Sequence, residues 1–286
     1  MSKIKRAIRR KRAIKEIDNI KPMSKTYMTI VTLLDNPLIS AEELEAELKY
    51  DSLATAAILK IANSPYYCRA SGQIKTLQMA LTLIGNMQLK DISLMKMSES
   101  HLKKERGYSE RENELHEESI ASAVFAKLIA QKISEDQNLA FECALLHDIG
   151  KIVLGRILSE AESEIEKILA SGKTFDELES EYFGITHQEV GEMLLKKWNF
   201  PEEFVKTAGL HHTPYLEPEN RLLQIVSLAD ILVMLSGLST ATDGLYYDAD
   251  DKITERLGLS EDDMMQIMEQ GIADFLELKN VFGSKG

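Results

Sequence analysis

The chain has 286 residues, of which 44% are hydrophobic and 28% are charged, a composition typical of soluble globular proteins. No apolar run approaches the ~18 residues that span a bilayer, no apolar segment follows the N-terminus, and only two cysteines are present, so we expect a cytoplasmic protein without a membrane span or a disulfide framework. The formal net charge of −12 argues against a folded body that binds nucleic acid in general.

Residues 1–12 form a basic arm without an acidic residue. Subtracting its seven positive charges from the net charge of −12 leaves −19 for the rest of the chain: Lys3, Lys5, Arg6, Arg9, Arg10, Lys11 and Arg12. Such an arm can contact nucleic acid, an anionic lipid surface or the acidic face of a partner, while a solvated or frayed helical end is the simpler interpretation. We expect the arm to be dispensable for stability.

Residues 13–104 are predicted to form an N-terminal helical subdomain. Hydrophobic residues recur there every three or four positions, and none of the segments alternates in the way typical of strands. Ser40 followed by Glu43 predicts a capping box at the start of one helix. The predicted helices cover about residues 13–35, 41–49, 52–62, 76–84 and 87–96.

Residues 105–240 are predicted to form a second helical subdomain, followed by a C-terminal helical extension over residues 241–286. The helix over about 138–148 is apolar on nearly all sides, so it should be the buried, central one, with Gly150 placed to end it. The other predicted helices cover about residues 113–134, 151–158, 201–212 and 222–236, and a capping box of Thr186 and Glu189 predicts the start of another helix, which carries His187 in its first turn. The fold class is therefore all-α, with the first subdomain packed on the second.

An adjacent histidine and aspartate, His147 and Asp148, stand at the end of the apolar helix. Burying an imidazole and a carboxylate together is costly unless other polar groups pair with them. Three of the chain's other histidines fall in one later window, and an acidic residue interrupts a later apolar helix. The predicted partners are therefore His187, His211, His212 and Asp230.

Four imidazoles beside two carboxylates suit one or two transition-metal ions, iron or manganese before zinc. Because this set is too large for one tetrahedral ion, we expect two ions that share the Asp148 carboxylate. Lys151, one turn further on, could neutralise a phosphate oxygen. The alternatives are a hydrogen-bonded helical core without metal, and an ordinary surface lysine at position 151.

Several motifs resemble the HD superfamily. They are residues 147–151 (HDIGK), 183–191 (FGITHQEVG), 198–201 (WNFP) and 211–214 (HHTP). Asp51 with residues 59–67 (LKIANSPYY) and 80–85 (ALTLIG) looks like the HDOD branch, the HD-related output domain of bacterial signalling proteins. The resemblance runs from about residue 17 to 240.

The resemblance implies a regulatory module that engages a protein partner, since members of this branch commonly lack the metal ligands. Here most of the ligand pattern of the related HD-GYP phosphodiesterases is kept, but the Gly-Tyr-Pro motif after His212 is missing. Glu118 stands in place of the first histidine, and we expect it to be a metal ligand because a carboxylate can still ligate a hard metal. The alternative is a metal-dependent phosphohydrolase, in which Asp148 and Lys151 would be the catalytic residues and the ligand a nucleotide or cyclic dinucleotide. Association with a second copy of the chain stays open, and nucleic acid is expected only at the basic arm.

Overall fold

The computed structural model describes most of the chain as helices, and the described residues contain no β-strand, which confirms the all-α prediction. They are residues 3–21, 25–34, 36, 38–64, 67, 73–103, 108, 113–160, 174–238 and 252–283. The predicted subdomain boundaries at residues 104–105 and 240–241 lie outside them, as do Pro65 and Tyr66 of the N-terminal motif.

The chain divides into two compact units. The larger unit contains residues 1–21 and 98–272, and the smaller unit contains residues 22–97 and 273–286. Across the described ranges, we find no helix that combines the length and the apolar character needed to cross a membrane. The predicted subdomain boundaries remain predictions.

The smaller unit is built from short helices with apolar residues turned inward. In chain order they are α2 (Lys25–Leu34), α3 (Ala41–Leu48), α4 (Ser52–Ala62), α5 (Leu77–Ile84) and the start of α6 (Asn86–Leu102). The predicted capping box of Ser40 and Glu43 is present at the start of α3. Asn63 exchanges two side-chain hydrogen bonds of 2.8 Å with the backbone of Ile74, and they fix the chain that leads to α5.

The larger unit is organised around α7 and α8. Its helices are α1 (Lys3–Asn19), α7 (Glu114–Lys132), α8 (Gln137–Leu146), α9 (Lys151–Leu158), α10 (Phe175–Tyr182), α11 (His187–Lys197), α12 (Glu202–Leu210), α13 (Arg221–Leu235), α14 (Ile253–Leu257) and the start of α15 (Glu261–Gly283). α7 packs against α8 and α13, and α11 packs against α12. Residues 140–146 of α8 are all buried, as its apolar sequence predicts.

The basic arm belongs to α1, and its residues 3–8 and 10–12 are exposed, as expected of a solvated helical end, while three of its arginines contact the larger unit. The guanidinium of Arg9 lies 3.5 Å from the centroid of the Tyr182 ring, and Arg10 Nε donates to the Gly184 carbonyl at 3.1 Å. Arg12 Nη2 donates to both carboxylate oxygens of Glu160, at 2.6 and 2.7 Å. These contacts hold the second half of the arm against the larger unit.

The predicted helix over residues 13–35 is instead two helices, because α1 ends at Asn19 and α2 begins at Lys25. Pro22 stands between them in the sequence. A proline lacks the N–H that a helix interior requires and disfavours helical backbone at the residue before it. The apolar spacing continues across this break, which is why periodicity alone did not reveal it.

Candidate metal centre

The turn between α8 and α9 places His147 and Asp148 inside the larger unit. Both side chains are buried, and only 5% of the Asp148 side chain is exposed. The His147 ring has Nδ1 2.6 Å from the carbonyl oxygen of Ala144 and Nε2 3.2 Å from Oδ1 of Asp230. The structure therefore brings the carboxylate of α13 to the His-Asp pair.

Two further histidines approach Asp148 from the ends of other helices. His187 is the first residue of α11, where the predicted capping box of Thr186 and Glu189 is present, and His211 directly follows the last residue of α12. Their Nε2 atoms lie 3.3 and 3.5 Å from Asp148 Oδ1 and 3.3 Å from each other. Three helix ends thus meet at one carboxylate.

The candidate ligand atoms fall into three groups, and within each group the atoms lie within 4.8 Å of one another. The group of Asp176, Glu179 and His187 lies on the Nδ1 side of the His187 ring. The other two groups overlap: one contains Asp148, His187, His211 and His212, and the other contains His147, Asp148 and Asp230. Asp148 is common to both groups, as a carboxylate shared by two metal ions would be. Its role as a bridge remains a prediction.

Glu118 is not brought to these groups. It is a partly buried residue of α7, and it is absent from the sets of imidazoles and carboxylates that the described residues place within 4.8 Å of one another. Its assignment as a metal ligand remains a prediction.

Lys151 lies against the cluster, so the alternative of an ordinary surface lysine does not fit. Its Nζ donates to Asp148 Oδ2 at 2.6 Å, and 12% of its side chain is exposed. The same ammonium lies 5.7 Å from the centroid of the Tyr108 ring. A cation in this position compensates the buried charge of Asp148.

The hydrogen bonds at Nδ1 decide which ring atoms face the cluster. In His147, His187 and His211, Nδ1 faces a proton acceptor: a backbone carbonyl in the first and third, and the Glu179 carboxylate in the second, at 2.6, 2.9 and 3.0 Å respectively. Because carbonyls and carboxylates only accept, each Nδ1 carries the proton, and a neutral ring presents its lone pair at Nε2. Histidines that ligate metals are held in this way.

The buried residues of the cluster have pKa values shifted in different directions, because their charged neighbours differ. Burial raises the pKa of Asp148, but Lys151 and the surrounding histidines outweigh burial and hold that pKa well below its ordinary value. Burial lowers the pKa of His211 to about 4. Burial also lowers the pKa of His187, but nearby carboxylates, with Glu179 first, raise it to about 9. Asp148 is therefore ionised, as a metal ligand must be.

One oxygen atom indicates that the cluster fits a cation. Asp148 Oδ1 is buried beside the Nε2 atoms of His187 and His211, yet it accepts no hydrogen bond of good geometry within the described ranges. A buried carboxylate oxygen without a donor is costly. A transition-metal ion held between that oxygen and the ring nitrogens would satisfy all of them, and this mixture of nitrogen and oxygen donors suits iron, manganese or zinc.

Sequence reasoning missed Glu179, Asp176 and Tyr108, which surround the outer side of the His187 ring. Glu179 is fully buried on α10 and contacts Nδ1, and the nearest Asp176 oxygen lies 3.4 Å from the same atom. A signal was available, because Glu179 shares a helix face with the buried Phe175 and Tyr182. An acidic residue on an apolar face predicts a buried partner.

Gly150 has a different role from the predicted helix end. α8 already ends at Leu146, and Gly150 has a right-handed φ of −64°. A Cβ at this position would lie 1.9 Å from the His187 carbonyl oxygen and 2.6 Å from the Gly191 nitrogen. Glycine therefore permits the turn that carries Asp148 to pack directly on the first turn of α11.

The helical fold and the buried pair of His147 and Asp148 fit the HDOD branch that the sequence motifs resemble. Comparison with known proteins supports this class. The family model described as "HDOD domain" matches residues 20–214. The chain belongs to the HDOD family. An uncharacterized protein of Treponema pallidum (strain Nichols) is 23% identical over 226 residues, which are 76% of this chain and 42% of that protein, so the chain spans less than half of this relative.

Solved structures share the fold at low sequence identity. An HDOD domain protein of unknown function from Geobacter sulfurreducens has a TM-score of 0.75 and 22% identity, with 96% of this chain and 98% of that chain covered. A candidate phosphohydrolase from Shewanella amazonensis SB2B has a TM-score of 0.72 and 18% identity, with 94% and 97% covered. A candidate signal transduction protein from Marinobacter aquaeolei VT8 has a TM-score of 0.73 and 19% identity, with 96% and 64% covered.

Proposed function

We propose that this chain is a regulatory output module of cytoplasmic bacterial signalling whose HD-type pocket binds one or two transition-metal ions, iron or manganese before zinc. The observation that carries the proposal is the convergence of Nε2 atoms from His147, His187 and His211 around Asp148. Each ring has its Nδ1 occupied by an acceptor, so the three Nε2 atoms face the same small volume, and an ion bound there would displace the Nε2 proton of His187.

Metal binding is supported over a hydrogen-bonded core by the state of these groups. Two Nε2 atoms lie 3.3 Å apart and one buried oxygen of Asp148 has no hydrogen bond from a described residue, so the contact of His147 Nε2 with Asp230 does not satisfy the whole cluster. An ion supplies the positive charge that such an arrangement requires. The bound ion would also polarise an oxygen ligand, as Lewis acids do.

A module is supported over an enzyme by the burial of the ligand set. The side chains of His147, Asp148, His187 and His211 are each at most 5% exposed, which leaves little ligand surface for a substrate. The similarity in fold to a candidate signal transduction protein agrees with this role. The partner would be a protein of the same pathway or a second copy of the chain, and a nucleotide would be an additional ligand.

Elemental analysis of protein purified without chelator tests the metal. We expect wild-type protein to carry at least about half an equivalent of a transition metal, since the donor atoms are already assembled. The double variant His147→Ala with Asp148→Ala should lose it. His101→Ala, which removes a histidine outside both groups, should retain it. Wild-type metal below about a tenth of an equivalent, unchanged in the double variant, would reject the proposal.

A metal-dependent phosphohydrolase is the second candidate, and Lys151 is the observation that favours it. Its ammonium lies 2.6 Å from Asp148 Oδ2 and is the cation best placed to meet a phosphate oxygen. In that function Asp148 would hold the metal and Lys151 would stabilise charge that develops on the phosphoryl group. The fold is shared with a candidate phosphohydrolase of Shewanella amazonensis SB2B.

A further inference from the structure

Glu179 is a buried carboxylate with a dense set of donors. The backbone N–H of His187 donates to its Oε2 at 2.6 Å, and the ring Nδ1 of the same histidine lies 2.9 Å from Oε2 and 3.1 Å from Oε1. The hydroxyl of Tyr108 donates to Oε1. Because Glu179 is fully buried, these donors compensate a charge that would otherwise be very costly inside the protein.

The local sequence explains how Glu179 reaches His187. A capping box of Thr174 and Glu177 starts α10. Gly184, with a φ of +73°, then lets the chain reverse after α10, and its N–H donates to the Glu179 carbonyl at 3.1 Å. This tight turn brings the start of α11 back against the Glu179 side chain.

We propose that Glu179 is a positioning residue of the metal centre, which holds the His187 ring so that Nε2 faces Asp148. The inference rests on the proposed function and adds a residue that the HD motifs do not contain. A carboxylate that accepts a hydrogen bond from the other nitrogen of a metal-ligating imidazole fixes the ring rotation and makes the ring a stronger metal ligand. Glu179 meets both requirements, since it contacts the ring and the backbone of the same residue.

Tyr108 supports Glu179 from the other side. Burial, followed by the charge of Glu179, raises the pKa of Tyr108 well above its ordinary value, so the phenol keeps its proton and donates it to the carboxylate. The Tyr108 ring also packs against Phe175, with ring centroids 5.0 Å apart. Phe175 lies on α10, so this contact holds the phenol beside the same helix as the carboxylate.

Two other roles for these acids fit less well. Glu179 is poorly suited to ligate the ion directly, because Nδ1 and the backbone N–H of His187 already occupy its oxygens. Asp176 is a weaker positioning residue, because its oxygen is 3.4 Å from Nδ1 and its side chain is 23% exposed. The buried, closer carboxylate is the one that decides the ring orientation.

Nuclear magnetic resonance of metal-free protein with ¹⁵N-labelled histidine tests the ring contact without requiring a metal. We expect a proton on His187 Nδ1 that is protected from exchange in the wild type. It should persist in Glu181→Ala, a matched change at an exposed acid of the same helix, and lose its protection in Glu179→Ala, which removes both acceptor oxygens. An equally protected Nδ1 proton in Glu179→Ala would overturn the inference.

Competition between the protein and a chelator for Mn²⁺ tests the effect on the metal. Loss of such an outer carboxylate weakens metal binding by roughly 10- to 100-fold, so we expect that loss in Glu179→Gln and none in Glu181→Gln. Equal affinity in Glu179→Gln would overturn the metal role. If wild type binds no Mn²⁺, the proposed function fails, and the ring proton alone then decides whether Glu179 positions His187.

Tyr108→Phe keeps the inference testable if the Glu179 variants do not fold. It removes one donor to Glu179 and preserves the ring that packs on Phe175. We expect weaker Mn²⁺ binding than in wild type and a less protected Nδ1 proton. Wild-type values for both measurements would contradict the relay from Tyr108 through Glu179 to His187.

Discussion

His187 and His211 face the same carboxylate oxygen but are expected to differ in charge at neutral pH. Burial lowers the pKa of His211 to about 4, and no carboxylate compensates its Nδ1, which faces backbone carbonyls. In His187, Glu179 and then Asp176 outweigh burial and raise the pKa to about 9. The acceptor on the outer side of each ring therefore decides its charge.

The pKa of His187 predicts a pH-dependent stability for the metal-free protein. The unfolded residue titrates near 6.5, so the stabilisation from the charged ring is complete below pH 6.5 and is lost as pH rises through about 9. This difference between the folded and unfolded pKa of His187 corresponds to a contribution to the free energy of unfolding on the order of 3 kcal/mol. Denaturant unfolding at pH 6.5 and 9 measures it.

His187→Gln is the control, since it removes the titrating group from the same position. We expect the fall in free energy of unfolding between pH 6.5 and 9 to be smaller in this variant than in the wild type. An equal fall in both proteins would show that other groups cause the pH dependence.

At the scale of elements, the basic arm at the start of α1 contacts the chain around the turn from α10 to α11. Arg9 stacks on Tyr182, and Arg10 donates to Gly184 and lies 4.0 Å from Glu189. An arginine over an aromatic face contributes about 1 kcal/mol at an exposed site, and a hydrogen bond contributes a similar amount. These contacts lead us to expect that the arm contributes to the fold, whereas its composition predicts that it is dispensable for stability.

Replacing these two arginines should destabilise the protein. We expect Arg9→Ala with Arg10→Ala to lower the free energy of unfolding by about 2 kcal/mol, measured by thermal or denaturant unfolding. Lys3→Ala with Lys11→Ala removes the same charge from exposed positions of α1 and should change the stability little. Equal effects of the two double variants would mean that total charge, and not these contacts, is responsible.

At the scale of the whole molecule, the candidate metal centre lies within a single compact unit. All of its candidate ligands fall within residues 98–272, while the family match over residues 20–214 also includes most of the smaller unit. A family whose shared region extends beyond the pocket fits a module in which surfaces outside the pocket also matter. Because the family match extends beyond the unit that holds the candidate ligands, we favour the regulatory module over the phosphohydrolase.

We expect no phosphoester turnover from the intact, Mn²⁺-loaded chain, because the ligand set is almost fully buried. The measurement is release of product from a panel of phosphomonoesters, phosphodiesters and cyclic dinucleotides. Asp148→Asn, which keeps the shape of the side chain and removes its charge, provides the background rate. Turnover above that background in the wild type would instead favour the phosphohydrolase.

The sequence by itself determined the helical class, most helix positions and most of the residues that meet at the pocket, with Glu118 as the predicted ligand that the described groups do not include. These properties are local, since apolar spacing, capping boxes and prolines act within one or two helical turns. His147 and Asp148 could be recognised because two polar residues at the end of an apolar helix require partners. His187, His211 and Asp230 followed from the same requirement.

Only the tertiary structure decided which groups surround the pocket from outside. The contact of Glu179 with His187 depends on the chain reversal at Gly184, and the need for glycine at position 150 depends on how closely two helices approach. The basic arm packs on the larger unit because Tyr182 and Glu160, both far along the chain, are brought beside α1. Such pairings are made between residues distant in sequence, and no local pattern specifies the distance or direction between them.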